Sequence, residues 1–427
     1  YPGRIIDSTE AIFLLYAVQL EIKKEKTEPF DEFCKWAQLF FNDIQEIDRY
    51  LVDAEQLFGN LKGVKELEGW SLNADELTPM QSNYMEFWHS LYDLYQGFKL
   101  KLRQSALAYE GMALRDLVEN QTLQIPWKHV VIAGFNALNK SEETLFKSLY
   151  AEGNATLLWD ADVYYYSDPL HEAGRFLREH IPNFKKEKER PNWISDELCT
   201  QHKLITITGV PGNTLQAKLA GDLLRKFEKD KDRDGSVKTA VILADESLLF
   251  PVLQAIPQEY EQINISMGYP VRFTTVAGFI NSVLHLHEQA ERFKRKDKES
   301  HFLFYFKDVI AVLQQPGTRL FLSHDAKIYE LLREIREKNK IFISRTFLLN
   351  HFKSDDLVFM TELLAMNEKA AVLVTLEKFM QKGLDLTESD ADSIEQEFFF
   401  EALNLISVIS EYDKKYNYFR ELKTLIA

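Results

Sequence analysis

The spacing of apolar residues predicts helices along the first 120 residues of the chain. Apolar positions recur every three or four residues, which places them on one face of a helix. Ile47, Leu51, Ala54 and Phe58 follow this rule at intervals of four, three and four. The predicted helices cover residues 9–22 (starting at Ser8 or Thr9), 30–41, 44–61 and 82–118 (with breaks at Gly97 and Gly111).

A different pattern begins near Pro126, where short apolar runs alternate with helix-like stretches. The run 130–134 ends in Gly134, and the run 156–159 ends before Asp160. Apolar runs of this length are typical of buried parallel strands. Two further strands are predicted at 204–208 and 237–243, and helices are predicted at 141–150 (with Ser141 as N-cap), at 214–227 and from Ser247. This alternation implies a parallel α/β sheet.

From about Thr275 onward the pattern is again that of helices. With 17 glycines and 12 prolines in 427 residues, turn-forming residues are scarce, which favours long helices. We therefore predict a helix-rich α/β protein with large helical insertions. Its predicted parts are a helical block (1–125), two α/β regions (126–200 and 201–275) and a second helical block (276–427).

The charge balance narrows the classes of function. The chain has 51 basic and 66 acidic residues and a net charge of −15, so it is not a simple nucleic-acid coat. A local basic groove is compatible with that balance. The two cysteines, Cys34 and Cys199, exclude a disulfide scaffold and a four-thiolate metal site within this chain, and they fit a reducing compartment.

No segment of the sequence has the length and apolarity of a membrane span or the features of a signal peptide. The longest apolar run near the start, 11–18, has eight residues, against roughly 20 for a bilayer-spanning helix. We therefore expect a cytoplasmic protein without membrane contact. The chain begins at Tyr1 rather than at methionine, and we expect it to be a piece of a longer protein.

Two loops imitate parts of a nucleotide site. The turn 209–214 has the order strand, glycine-rich turn and helix, but it lacks the lysine of a phosphate loop. The run 241–246 ends in Asp245 and Glu246, as in strands that hold magnesium. Without the lysine loop, the simpler interpretations are an ordinary strand–helix turn and a helix cap at Asp245 or Ser247.

Two acidic motifs are candidates for metal binding. Asp160 and Asp162 follow a predicted strand and would point to the same side of an extended chain, where they could bind a divalent cation. The simpler alternative is two loop acids at a strand edge. The run 230–235 matches the first half of an EF-hand loop, but Val241 replaces the bidentate glutamate, so a solvated loop is favoured.

Histidines and basic residues give weaker signals. His285 and His287 lie about 200° apart on a predicted helix and cannot share a metal ion. The basic cluster 292–298 is interleaved with acidic residues and is typical of a solvated helix face. Motifs for a hydrolase elbow, a zincin or a thioredoxin are absent from the sequence.

Five short strings carry a resemblance to a known family. They are 40–54 (FFNDIQEIDRYLVDA), 130–138 (VVIAGFNAL), 157–166 (LLWDADVYYY) with 171–176 (HEAGRF), and 264–270 (NISMGYP). Together and in this order they resemble the N-terminal, helicase-like half of AddB/RexB-type proteins. Those proteins belong to helicase–nucleases that process double-strand DNA breaks, and the larger chains end in a PD-(D/E)XK nuclease domain.

The resemblance implies a motor scaffold that has lost its metal-binding acids. In superfamily I helicases of the UvrD type, a strand ends in acids that hold magnesium and position water. Ala133 and Gly134 occupy those positions here, so they are vestigial magnesium-site positions. Asp160 falls where the next helicase motif would be, without its glutamine. The resemblance implies no catalytic residue and no cofactor within this chain. It also implies that the first helical block is 1B-like and that the last helical block is 2B-like.

Three functional hypotheses follow. The leading one is a catalytically inactive, helicase-like module of an AddB-like repair nuclease that binds or channels DNA and contacts an AddA-like motor subunit. The second is a metal-dependent nucleotide-sugar transferase that uses Asp160 and Asp162, although a helical stretch precedes that motif. The third, favoured by the acidic charge, is a helical protein-interaction scaffold.

Overall fold

The computed structural model describes residues 3–24, 27–68, 79–120, 125–184, 194–229, 239–260, 263–292, 303–322, 325–365, 369–387 and 393–416. These residues are rich in helix and form small sheets of two strands each. They divide into two compact units. The first unit holds the described residues up to 202 and those of 405–416, and the second holds those of 203–404.

The first unit is built from nine helices and three short parallel strand pairs among its described residues. The helices are α1 (Ser8–Lys23), α2 (Phe30–Arg49), α3 (Ala54–Glu68), α4 (Pro79–Gln104), α5 (Glu110–Asn120), α6 (Lys140–Ala151), α7 (Val163–Tyr166), α8 (Arg175–His180) and α9 (Glu197–Thr200). The pairs are β1 (Arg4–Ile5) with β2 (Leu107–Ala108), β3 (Val130–Ala133) with β4 (Ala155–Leu158), and β5 (Ala161–Asp162) with β6 (Ile194–Ser195).

Aromatic side chains form the core of the helical part of the first unit. Helix α1 is buried over ten consecutive residues, 10–19, so helices or loops surround it on every side. Phe33 of α2, Phe98 of α4 and Tyr109 ahead of α5 are fully buried, and the rings of Phe98 and Tyr109 stack at 5.8 Å. This packing provides the hydrophobic stabilisation of the block.

Two predicted helix boundaries in this block are wrong. The segment 44–61 is not one helix, because α2 ends at Arg49 and α3 begins at Ala54. Leu51 adopts φ +54°, and the Asp53 carboxylate accepts a hydrogen bond from the Gln56 N–H (3.0 Å), which caps α3. A turn at Leu51 and a cap at Asp53 therefore end one helix and start the next, although the apolar periodicity of the sequence continues across them.

The predicted helix 82–118 also divides at another place than expected. The break lies at Ser105 and Ala106, where Ala106 has φ +53°, whereas Gly97 lies inside α4 and Gly111 inside α5.

Two N-cap residues also differ from those predicted. Asp7, not Ser8 or Thr9, caps α1, and Asn139, not Ser141, caps α6 through a capping box with Glu142.

The second unit consists of helices and one antiparallel strand pair among its described residues. The helices are α10 (Asn213–Lys229), α11 (Leu249–Ala255), α12 (Thr275–Arg292), α13 (Phe306–Leu313), α14 (Pro316–Phe321), α15 (Asp325–Glu337), α16 (Arg345–Leu349), α17 (Ser354–Leu363) and α18 (Lys369–Thr387). The strands are β7 (Leu303–Tyr305) and β8 (Phe342–Ser344), and α19 (Ser393–Tyr416) has residues in both units. Four buried phenylalanines, Phe279, Phe321, Phe359 and Phe379, form the centre of its core.

The predicted strands at 204–208 and 237–243 are not formed in the described part of the second unit. Residues 204–208 and 239–243 belong to no strand pair, and residues 237 and 238 lie outside the described residues. Leu204, Ile207 and Ile242 are 90%, 93% and 91% exposed. The sequence has the composition of a strand, but a strand forms only beside a hydrogen-bonding neighbour. The prediction of a parallel sheet in this unit is therefore wrong for these residues.

Among the helices that the structure describes, none combines the length and the apolarity that crossing a bilayer requires.

Candidate functional site at the carboxyl ends of β3 and β4

The strand pair β3–β4 confirms the two strands predicted in the first unit. Strand β3 (Val130–Ala133) pairs in parallel with β4 (Ala155–Leu158), with Val130 beside Ala155 and Ala133 beside Leu158. Helix α6 connects them, so the carboxyl ends of both strands lie at one edge. In parallel sheets, ligands bind at this edge.

Ala133 and Gly134, at the end of β3, offer no side-chain ligand for a cation. Ala133 has only a methyl side chain, and Gly134 adopts φ +79°, a left-handed conformation that favours glycine. Phe135 follows and packs its ring 4.4 Å from that of Trp159 at the end of β4. The chain therefore turns at the end of β3, and the Phe135 ring packs there against Trp159.

The two candidate metal ligands at the end of β4 lie in different surroundings. Asp160 is exposed, whereas Asp162 is buried. The Asp162 carboxylate accepts hydrogen bonds from the Tyr164 N–H (2.9 Å), the Ser195 hydroxyl (2.8 Å) and the Leu198 N–H (3.0 Å). Asp162 thus caps α7 and ties it to β6 and α9, which is a structural use of the carboxylate.

The residues that follow Asp162 form a braced loop, which we call the 163–178 segment. The Arg178 guanidinium donates to the carbonyl oxygens of Tyr165 (2.7 Å), His171 (2.7 Å) and Pro169 (3.3 Å). A Cβ on Gly174 would lie 2.2 Å from both the Tyr165 oxygen and Arg178 Nη1, so only glycine fits there. Gly174 and Arg178 therefore have a structural role in this segment: the glycine leaves space, and the arginine binds backbone carbonyl oxygens.

His180 ties the same segment to the loop after β3. The Leu138 N–H donates to His180 Nε2 (3.2 Å), which makes that nitrogen an acceptor and places the proton of the neutral ring on Nδ1. His180 is buried, and its Nδ1 has no hydrogen-bond partner among the described residues. The histidine therefore supports the loop that carries Leu138.

The first string of the resemblance contributes Asp48 to a buried ion cluster that sequence reasoning did not identify. Asp48 of α2 is fully buried and accepts hydrogen bonds from Tyr95 (2.6 Å), Tyr109, Lys99 (3.0 Å) and Arg115 (3.2 Å). The carboxylate thereby joins α2, α4 and α5. An aspartate on the apolar face of a predicted helix was the available signal.

Burial and the Asp48 charge set the protonation of this cluster. Burial, together with the nearby Asp48 carboxylate, raises the pKa of both Tyr95 and Tyr109. Burial lowers the pKa of Lys99, and the attraction of Asp48 opposes that effect. Lys99 also donates to the Tyr95 hydroxyl (3.0 Å), and Arg115 also donates to the Val52 carbonyl oxygen (2.8 Å), so the groups of the cluster bond to one another.

The nucleotide-like loops of the second unit act as turns and caps. Gly212 has φ +77° directly before α10, and the Asp245 carboxylate accepts from the Ser247 N–H (3.0 Å). Hydrogen bonds from Ser247 lower the pKa of Asp245. The predicted helix cap at Asp245 is confirmed. The EF-hand-like run 230–235 lies outside the described residues.

The two histidines of α12 have separate partners. His287 Nε2 lies 2.7 Å from the Leu363 carbonyl oxygen, whereas His285 lies 3.6 Å from the Asp308 carboxylate. Burial lowers the pKa of His287 to about 4. In the described residues, no group of three or more histidine, cysteine or acidic side chains is arranged to hold a metal ion. Of the basic cluster, Arg292 pairs with Glu288 (2.8 Å), and 293–298 lie outside the described residues.

Comparison with models of protein families finds no match to this chain, and comparison with curated proteins finds none either.

Proposed function

We propose that this chain is a catalytically silent, helicase-like module of an AddB/RexB-type helicase–nuclease that processes DNA breaks. It binds or channels DNA and holds partner and nuclease domains in place. The observation that carries the proposal is the end of β3, where a parallel strand is followed by a turn and offers Ala133 and Gly134 instead of carboxylates. Magnesium-dependent phosphoryl transfer needs such carboxylates.

The strand–helix–strand segment from Val130 to Leu158 supports the proposal that the chain descends from a helicase motor. Parallel strands joined by a helix are the elements from which nucleotide-binding sheets are built. We propose that β3 and β4 correspond to part of the first motor domain. In this proposal the helices α1 to α5 correspond to the 1B-like region, and the helices from α12 onward correspond to the 2B-like region.

The proposal also includes partners and place. DNA is the ligand, an AddA-like motor subunit supplies ATP hydrolysis, and the assembly works in the cytoplasm. Because the chain carries a net charge of −15, DNA contact depends on local surfaces from which carboxylates are missing.

An ATPase assay tests the catalytic part of the proposal. We expect ATP hydrolysis at background level, with and without single-stranded DNA, because Asp160 and Asp245 lack a neighbouring phosphate loop in this sequence. Hydrolysis above background that Asp160→Ala or Asp245→Ala abolishes would overturn the proposal. Asp168→Ala is the matched control, since Asp168 is an exposed acid whose carboxylate accepts from the Leu170 N–H (2.9 Å) of its own loop.

A DNA-binding assay separates the proposal from a helical interaction scaffold. Filter binding to single-stranded and tailed duplex DNA is measured at low and high salt. The proposal predicts binding that weakens as salt rises, because phosphate contacts release counterions. Absence of salt-sensitive binding would favour the scaffold.

The structure does not favour the nucleotide-sugar transferase. That function needs Asp160 and Asp162 to present free oxygens to one cation. Both Asp162 oxygens instead accept hydrogen bonds within the first unit. Manganese-dependent binding of a nucleotide sugar that is lost in Asp162→Asn would contradict this conclusion.

A further inference from the structure

An exposed stretch of backbone precedes helix α12 in the second unit, and we call residues 263–273 the 263–273 strip. Tyr269 anchors it, with its ring 4.7 Å from that of Phe250 and 6.1 Å from that of Phe398. Beyond the strip, the Thr274 hydroxyl accepts from the Ala277 N–H (3.1 Å) and caps α12. The Tyr269 packing and the Thr274 cap therefore hold the carboxyl-terminal part of the strip, while Phe273 is 55% exposed.

The strip lies at the start of a long stretch without acidic residues. No aspartate or glutamate occurs from Gln262 to His287, a run of 26 residues, whereas 66 acids in 427 residues would place about four there. Arg272 is the only lysine or arginine in this run. The 263–273 strip therefore contributes no carboxylate of its own to an acidic protein. The acid that the structure shows beside its carboxyl end is Glu395, whose Oε1 accepts a hydrogen bond from the Thr275 hydroxyl (3.3 Å).

Arg272 and Phe273 combine a cation with an exposed aromatic ring. The guanidinium carbon of Arg272 lies 4.8 Å from the centre of the Phe273 ring. Within the described part of the chain, Arg272 forms neither a hydrogen bond nor an ion pair, so its donors are open to a ligand. An exposed ring beside an open guanidinium offers stacking for a base and a charge for a phosphate.

We propose that the 263–273 strip binds single-stranded nucleic acid, with Phe273 stacking on a base and Arg272 contacting a phosphate. The inference rests on the proposed function and deepens it by naming the form of nucleic acid and two contact residues. Unpaired bases are required because stacking on a protein ring needs a base face that a duplex hides.

The first unit contains a matched pair that serves as the control. Arg175 lies 5.7 Å from the centre of the Phe176 ring, and Phe176 is 40% exposed. Glu172 and Glu179 stand three residues before and four residues after Arg175, on the same side of the helical turn. The same two residue types are therefore present there in an acidic setting that repels phosphate.

The test measures binding of fluorescein-labelled oligo(dT) by fluorescence anisotropy, using the full chain. Phe273→Ala is expected to weaken binding by roughly fivefold to 150-fold, because it removes one stacked base. Arg272→Ala should reduce the slope of log affinity against log salt by about 0.7, the value for one phosphate contact on a single strand. Phe273→Trp should retain binding, and Phe176→Ala should leave it unchanged.

The outcomes separate this inference from the proposed function. Salt-sensitive binding that is equal in the wild type, Phe273→Ala and Arg272→Ala overturns the inference and leaves the proposed function standing. A wild-type chain without salt-sensitive binding overturns both. An equal loss in Phe176→Ala also contradicts the assignment to the strip. Melting curves of each variant identify a loss that comes from unfolding, and Phe273→Trp with Arg272→Ala then decides the result.

Discussion

The helical block of the first unit and the segment 204–208 of the second are both apolar in sequence, but only the former is buried. Leu94 and Phe98 of α4 are fully buried, whereas Leu204 and Ile207 are almost fully exposed. A helix satisfies its hydrogen bonds within itself and needs only side-chain packing from its neighbours. A strand needs another strand for its backbone, so the same apolar content remains uncovered where none is available.

Removal of the Asp48 charge should give the largest effect, because it acts where burial is complete. Asp48→Asn leaves Lys99 and Arg115 near a neutral group inside the block, and we expect the free energy of unfolding to fall by roughly 3–5 kcal/mol. Urea denaturation measures it. Glu46→Gln is the control, because its exposed ion pair with Arg49 is expected to contribute about 1 kcal/mol or less. A loss below that of the control would show that the cluster is not buried in solution.

His287 extends the comparison to the helical part of the second unit. Its folded pKa of about 4 lies below the ordinary value of 6.5, so the unfolded chain takes up the proton first as pH falls. The contribution is complete above pH 6.5 and is lost as pH falls towards 4, and it amounts to about 3 kcal/mol at 1.36 kcal/mol per pKa unit.

Denaturation of His287→Gln at several pH values checks this expectation. The glutamine cannot be charged, and its amide can donate to the Leu363 carbonyl, so the stability of this variant should decline less between pH 6.5 and 4. His285→Gln on the same helix is the matched control, because His285 is half-exposed. Identical pH curves for the wild type and His287→Gln would contradict the burial of His287.

Gly174 tests the braced 163–178 segment, for which we expect an effect between that of the buried helical block and that of the exposed segment 204–208. Gly174→Ala places a methyl group against the Tyr165 carbonyl and the Arg178 guanidinium, and we expect a loss of about 1–3 kcal/mol. Thermal and urea unfolding measure the change. Gly59→Ala is the control, because nothing lies near a Cβ at that position in α3, and alanine should stabilise the helix by about 0.5–1 kcal/mol.

Ile207 should give the smallest effect and tests the comparison directly. Ile207→Ala is expected to change the free energy of unfolding by less than about 0.5 kcal/mol, because an exposed side chain loses no burial. Leu94→Ala, at a fully buried position, should cost about 2–5 kcal/mol. A loss of more than 1 kcal/mol in Ile207→Ala would mean that this segment is covered in solution.

The sequence allowed local elements to be predicted where the signal is local. The strands near Val130 and Thr156 and the helix between them are confirmed, since each has a long enough apolar or amphipathic run. The boundary at Leu51 could not be predicted, because a left-handed turn competes there with an unbroken periodicity. The pairing of 204–208 could not be predicted either, since it depends on a neighbour distant in sequence.

The same distinction applies to the candidate site. The absence of a carboxylate at Ala133 is readable from the residue type alone, and the cap at Asp245 follows from its position before a helix. The role of Asp162 could not be predicted, because its partners Ser195 and Leu198 are more than 30 residues away. The acid-free run around Arg272 was readable in the sequence, but its exposure was not.

The Asp48 cluster has a consequence for how the first unit opens. The Asp48 carboxylate of α2 bonds to side chains of α4 and α5. If one of these helices separates, Asp48 loses hydrogen-bond partners, and charged groups of the other helices are left buried without them. We therefore expect amide hydrogens in the three helices to exchange with solvent together, at a single free energy. A single buried carboxylate would then make three separate helices one cooperative element.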